Sequence, residues 1–117
     1  MRLFFYVLNK TEHLDSILTE FAHKGIQGAT VLESMGMARI LINKHDEDDI
    51  PFLGSLRKLL YPEREQGNLI FAIIHDDQLS EAVSIIEKIV GDLNVKDNGI
   101  VFSFPIDYVK GIIDNGK

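Results

Sequence analysis

The sequence predicts an α+β domain in which two β-α-β halves contribute strands to one antiparallel sheet. Three observations carry the prediction. Two compact apolar runs, RLFFYVL (residues 2–8) and LIFAIIH (69–75), have strand length and composition. Each is followed directly by apolar residues at helical spacing. Each half then closes on a second strand-like run, ATVLESMG (29–36) and GIVFSFPID (99–107).

Taken in order, RLFFYVL reads as a buried strand, apolar at consecutive positions. Thr11 is the expected N-cap of the first helix. Leu14, Ile17, Leu18, Phe21 and Ala22 form its stripe, and Gly25 stands where a C-cap glycine belongs. In the second half, Asp77 is the expected N-cap. Leu79, Ala82, Val83, Ile86 and Val90 form the stripe, and Gly91 closes the helix. The order β-α-β, β-α-β is that of the split βαβ, ferredoxin-like arrangement: a four-stranded antiparallel sheet with two helices on one face. Right-handed crossovers leave few alternatives.

This arrangement raises a burial problem. RLFFYVL and LIFAII are apolar on both faces of the strand, yet two helices cover only one face of a sheet. The other face needs a partner, and a closed homo-oligomer is the simplest supply.

Residues 37–68 join the halves, about thirty residues and too many for a plain hairpin connection. They hold an acidic run, His45 to Asp49, and then IPFLGSLRKLLY. Leu53, Leu56, Leu59 and Leu60 predict a short amphipathic helix that starts near Pro51 and ends by Pro62. Phe52, Leu53 and Leu56 are its candidate partner-docking residues, in the manner of a helix laid into a groove; the other reading is that the helix folds back to cap the edge of its own sheet.

Composition narrows the function classes. At 117 residues the chain suits one domain, residues 1–117, and its 45% hydrophobic and 26% charged content are ordinary for a globular protein. A net charge of -6 argues against nucleic acid as a partner, because phosphates need a basic face. No run approaches the ~18 apolar residues of a membrane span. The N-terminus lacks a signal-peptide pattern, and the absence of cysteine is compatible with the cytoplasm, which is the expected location. His13, His23, His45 and His75 are scattered, so no metal site is expected. No nucleophile–base or paired-carboxylate constellation appears, so no catalytic residue is expected.

One segment carries a more specific signal. GIQGATVLESMGMAR (25–39) resembles the Gly-x-x-Gly-x-Thr-Val-x-x-x-x-Gly-x-Gly-Arg segment of the P-II nitrogen-regulatory signal-transduction proteins and their P-II-like relatives. IIHDDQLSEAVSIIEKIVG and NGIVFSFPIDYV second the resemblance, which spans nearly the whole chain outside 37–68. The resemblance implies a ferredoxin-like homotrimer that binds an adenine nucleotide, ADP or ATP, in clefts between subunits, with no cofactor required. It also implies that 37–68 takes the place of a long flexible loop, the T-loop, that grips a target such as a transporter or metabolic enzyme. By it, Thr30, Gly36, Met37 and Arg39 line one side of the cleft, and Asn98 and Gly99 the other.

The departures concern charge. The second glycine of the family's Gly-x-Gly-Arg is Ala38, the lysine of its B-loop falls on Ile100, and the lysine opening the third strand falls near Leu69. The two C-terminal arginines fall on Gly111 and Ile113. Those cations hold phosphates through charge-assisted hydrogen bonds, and Lys96 or Lys110 are the substitutes on offer. The modifiable tyrosine motif is missing as well, since Tyr61 sits in another context. The reading is therefore a non-enzymatic regulator. Its alternative is a metal-handling protein similar to the CutA type, or a small enzyme, on the same scaffold.

Overall fold

The structure, a computed structural model, describes residues 1–44 and 66–112, with the backbone alone for 42–44. Its elements run β1 (Arg2–Leu8), α1 (Leu14–His23), β2 (Thr30–Ser34), α2 (Met37–Lys44), β3 (Gly67–Ile74), α3 (Leu79–Ile89) and β4 (Ile100–Pro105). The fold is α+β, one four-stranded sheet in the order β2-β3-β1-β4 with two main helices, α1 and α3. β3 pairs antiparallel with β1 and with β2, and β1 pairs antiparallel with β4. The two apolar runs thus occupy the centre, and the less apolar β2 and β4 form the edges.

Strand alternation sorts the side chains into two sets. Phe4, Tyr6 and Leu8 of β1 and Ile70, Ala72 and Ile74 of β3 are buried in one cluster with Ile17 and Phe21 of α1 and Ala82, Ile85 and Ile86 of α3. Phe4 and Phe21 meet edge to face at 6.2 Å between ring centroids, a geometry that adds to their burial. Burial of each large side chain is worth roughly 1.5–3 kcal/mol, so this cluster is the main source of stability.

The alternate residues form the other face. The register aligns Leu32, Leu69, Val7 and Ile100 in one row, Thr30, Phe71, Phe5 and Phe102 in the next, and Ile73, Leu3 and Phe104 in a third. None of these side chains is charged. Leu32, Ile100, Phe102 and Phe104 are exposed, and the central-strand residues are half-buried. Phe5 lies at the middle, stacked on Phe102 at 4.8 Å with Phe71 and Phe104 about it.

Several local expectations change. α1 begins at Leu14 behind a 3-10 turn over Thr11–His13, so Thr11 lies inside the turn, not at a cap. The chain enters through a main-chain bond, His13 N–H to the Lys10 carbonyl at 3.0 Å. At the other end the expectation for Gly25 is met. The Ile26 N–H donates to the Phe21 carbonyl at 2.8 Å and the Gly25 N–H to Ala22 at 3.2 Å, the Schellman pattern, with Gly25 at φ +81°.

α3 begins at Leu79 behind a 3-10 turn over Asp76–Gln78, and it is this turn that is capped, by His75 and not Asp77. The His75 side chain accepts the Gln78 backbone N–H, and the His75 N–H donates to Gln78 Oε1 at 2.8 Å. This reciprocal box satisfies two donors, and Asp77 lies within the turn it encloses. Gln78 Nε2 also donates to the Gly25 carbonyl at 3.3 Å, tying the start of α3 to the end of α1.

Part of 37–68 is described as well. Its first eight residues are the helix α2, not the start of a flexible loop. Met37, Ala38, Arg39 and Leu41 are good helix formers, and the Ile40 N–H donates to the Gly36 carbonyl at 3.1 Å to open the first turn. The acidic run, the predicted helix after Pro51 and the candidates Phe52, Leu53 and Leu56 lie outside the described residues.

Candidate functional site

The candidate site has two halves. Thr30 lies on β2 and is exposed, Gly36 is exposed just before α2, Met37 is 74% exposed, and Arg39 is half-buried on α2. This half sits at the β2 edge. Asn98 and Gly99 lie in the turn that leads into β4, at the opposite edge.

Register places the Gly36–Arg39 segment, which follows the end of β2, at the same end of the sheet as Asn98 and Gly99, whereas Thr30, level with Phe71 and Phe5, lies four residues further along β2. Ser34 pairs with Gly67, Leu8 with Asn68, and Val7 with Ile100, so β2 ends, β1 ends and β4 begins at one end. Three strand intervals of ~4.8 Å separate the edges, roughly 14 Å within one chain.

The β4-edge half is held tightly from beneath. Asn98 is only 4% exposed. Its carbonyl accepts the Tyr6 hydroxyl at 2.6 Å, its Oδ1 accepts Lys10 Nζ at 2.7 Å, and its Nδ2 donates to the Asp92 carbonyl at 2.7 Å. Its own N–H donates to Val95 at 3.3 Å. Each polar group of Asn98 is thereby engaged within the chain.

Gly99 follows at φ +97°, and Asp97 precedes at φ +72°. A Cβ on Gly99 would collide with the Val7 carbonyl and stand 2.6 Å from Tyr6 Cε1. Only glycine fits above the Tyr6 ring here. Burial pushes the Tyr6 phenol up to about 12, and the negative charge of Asp97 adds to the rise.

Lys10 and Tyr6 were not readable as site residues. Lys10 follows a strand and looks like a surface lysine, and Tyr6 looks like core. Their partner Asn98 lies 88 and 92 residues away, beyond the reach of any periodic pattern. The substitutes Lys96 and Lys110 are both exposed. Of the departures, Ile100 and Gly111 are exposed, Leu69 is on the uncharged sheet face, and Ile113 is outside the described residues. Among the described residues, no group of three or more His, Cys, Asp or Glu side chains could hold a metal ion. No helix among them is long and apolar enough to cross a membrane.

No family model matches the chain, and no curated protein matches it.

Proposed function

We propose that the chain is a non-enzymatic signal-transduction regulator of the P-II-like kind, built as a ferredoxin-like homotrimer. Copies associate through the uncharged sheet face and take an adenine nucleotide, ADP or ATP, between the β2 edge of one copy and the β4 edge of the next. Segment 37–68, with Phe52, Leu53 and Leu56, contacts a target protein such as a transporter or metabolic enzyme in the cytoplasm.

The observation that carries this reading is the sheet itself. It has an uncharged apolar face of three rows, with the Gly36–Arg39 segment and Asn98 and Gly99 at one end of it on opposite edges. Exposed apolar surface of this extent marks an interaction face, and copies meeting heterologously would bring unlike edges together.

Chemistry at the β2 half supports an anion despite the missing cations. The first-turn N–H groups of a helix have no intrahelical acceptor, and a phosphate against Gly36 and Met37 would meet those of α2. Arg39 adds a guanidinium on the same turn. To act as a switch, the nucleotide must interact differently with two states of the segment that α2 begins.

The test is thermal unfolding against ADP, ATP, AMP, cyclic dinucleotides, 2-oxoglutarate and divalent cations. A ligand at a hundred times its dissociation constant adds about 2.7 kcal/mol, a rise in midpoint of several degrees. A rise with ADP or ATP is expected. Silence across all nucleotides would overturn the effector assignment, and a response to cations alone would favour the metal-handling alternative.

A further inference from the structure

The turn Asp97–Gly99 is anchored from two sides, and neither anchor belongs to the turn. The Tyr6 hydroxyl, from the buried face of β1, donates to the main-chain carbonyl of Asn98 at 2.6 Å. The Lys10 ammonium, from the segment after β1, donates to the Asn98 side chain at 2.7 Å. Between them they hold a turn with left-handed backbone on either side of Asn98, Asp97 at φ +72° and Gly99 at φ +97°. Asp97 is the only non-glycine residue with positive φ among the described residues, a conformation that surrounding structure must enforce.

We propose that Tyr6 and Lys10 are positioning residues that build the β4-edge half of the site in advance of any ligand. The proposal rests on the effector reading above only for its consequence; the positioning itself is a property of the isolated chain. β1 is a central strand that pairs with both β3 and β4, so it is a firmly held reference for the turn. The Tyr6 ring also lies under Gly99, where a Cβ would meet it. The phenol thereby sets both the height and the direction of the turn. Lys10 supplies the second point, and two points fix an orientation that one would leave free to pivot. The Asn98 amide is the keystone of this arrangement: its oxygen accepts from Lys10, its nitrogen donates to the Asp92 carbonyl, and the residue is 4% exposed.

The experiment is hydrogen exchange, read residue by residue, on Tyr6→Phe, Lys10→Met and Lys10→Arg, with ADP affinity measured in parallel. Each lost hydrogen bond should lower protection of residues 92–99 roughly two- to tenfold. Protection in α1 and the centre of α3 should be unchanged in Lys10→Met, and Lys10→Arg should restore the turn. ADP should weaken by a similar factor in Tyr6→Phe and Lys10→Met. Unchanged protection of 92–99 in both variants would overturn the proposal. So would a loss spread evenly over sheet and helices, which is what a generic structural role produces. If the wild-type chain binds no ADP, the effector reading fails while the exchange comparison still decides the positioning claim.

Discussion

Substituting Gly99→Ala should be among the most damaging single-methyl changes available to this chain. The φ of +97° alone costs an L-residue about 1–2 kcal/mol. The new Cβ would also collide with the Val7 carbonyl and sit 2.6 Å from Tyr6 Cε1. Neither obstacle can swing away, because one is the backbone of a central strand and the other is a ring buried in the core. Overpacking of this kind adds about 1–3 kcal/mol, for a total of about 2–5 kcal/mol. A domain of this size has roughly 5–15 kcal/mol to lose. At roughly 4 °C per kcal/mol, the midpoint should fall by about 8–20 °C. Gly25→Ala is the control, since Gly25 shares a positive φ of +81° but has open space where its Cβ would go. It should lose only the backbone part, about 1–2 kcal/mol. Thermal melts followed by circular dichroism would compare the two. Equal losses, or a Gly99→Ala melt within a degree or two of wild type, would refute the steric argument.

Three further outcomes follow from the geometry. His75→Ala removes one arm of the cap on the turn that leads into α3 and should cost about 0.5–2 kcal/mol by chemical denaturation, with His75→Asn recovering most of it. Phe21→Ala opens a cavity against Phe4 in the core and should cost about 3–5 kcal/mol in the same assay. Alkaline titration followed by ultraviolet absorbance should show one phenol ionising late, near 12, a step that Tyr6→Phe abolishes. Its folded-state value lies above the unfolded 10.0, so its contribution is complete below pH 10 and is lost as pH rises through about 12.

Much of the sheet was legible because its central strands are short-range signals. RLFFYVL matched β1 over residues 2–8, and LIFAII lies within β3. The helical stripes found α1 and α3 for the same reason, and Gly25 announced its turn through a conformation that few residues accept. The uncharged face was also foreseeable, since runs that are apolar at consecutive positions leave side chains on both sides. Caps and connections were harder. Asp77 has a better capping reputation than His75, yet Gln78 three residues after His75 decides the matter by reaching back. MARILINK holds a helical sequence that the family resemblance had assigned to a loop. Least legible was the site's β4 edge, where Tyr6, Lys10 and Asn98 meet only after the chain has folded. The family resemblance places Asn98 beside the cleft, and in space its side chain bonds Lys10 and the Asp92 carbonyl, contacts that no short-range pattern announces.

The proposed trimer needs the uncharged face of the sheet as an interface between copies. Mass in solution, by sedimentation or light scattering over a concentration series, tests it most directly for wild type and for Phe102→Glu. Phe102 is exposed and stacks on Phe5 at the middle of that face, so a carboxylate there would be buried unpaired in any face-to-face assembly. The expected wild-type mass is three times 13.2 kDa, with a fall to the single-chain mass in Phe102→Glu and the melting behaviour of a folded chain retained. A wild-type protein at single-chain mass at every concentration would contradict it, as would a Phe102→Glu protein that assembles as well as wild type.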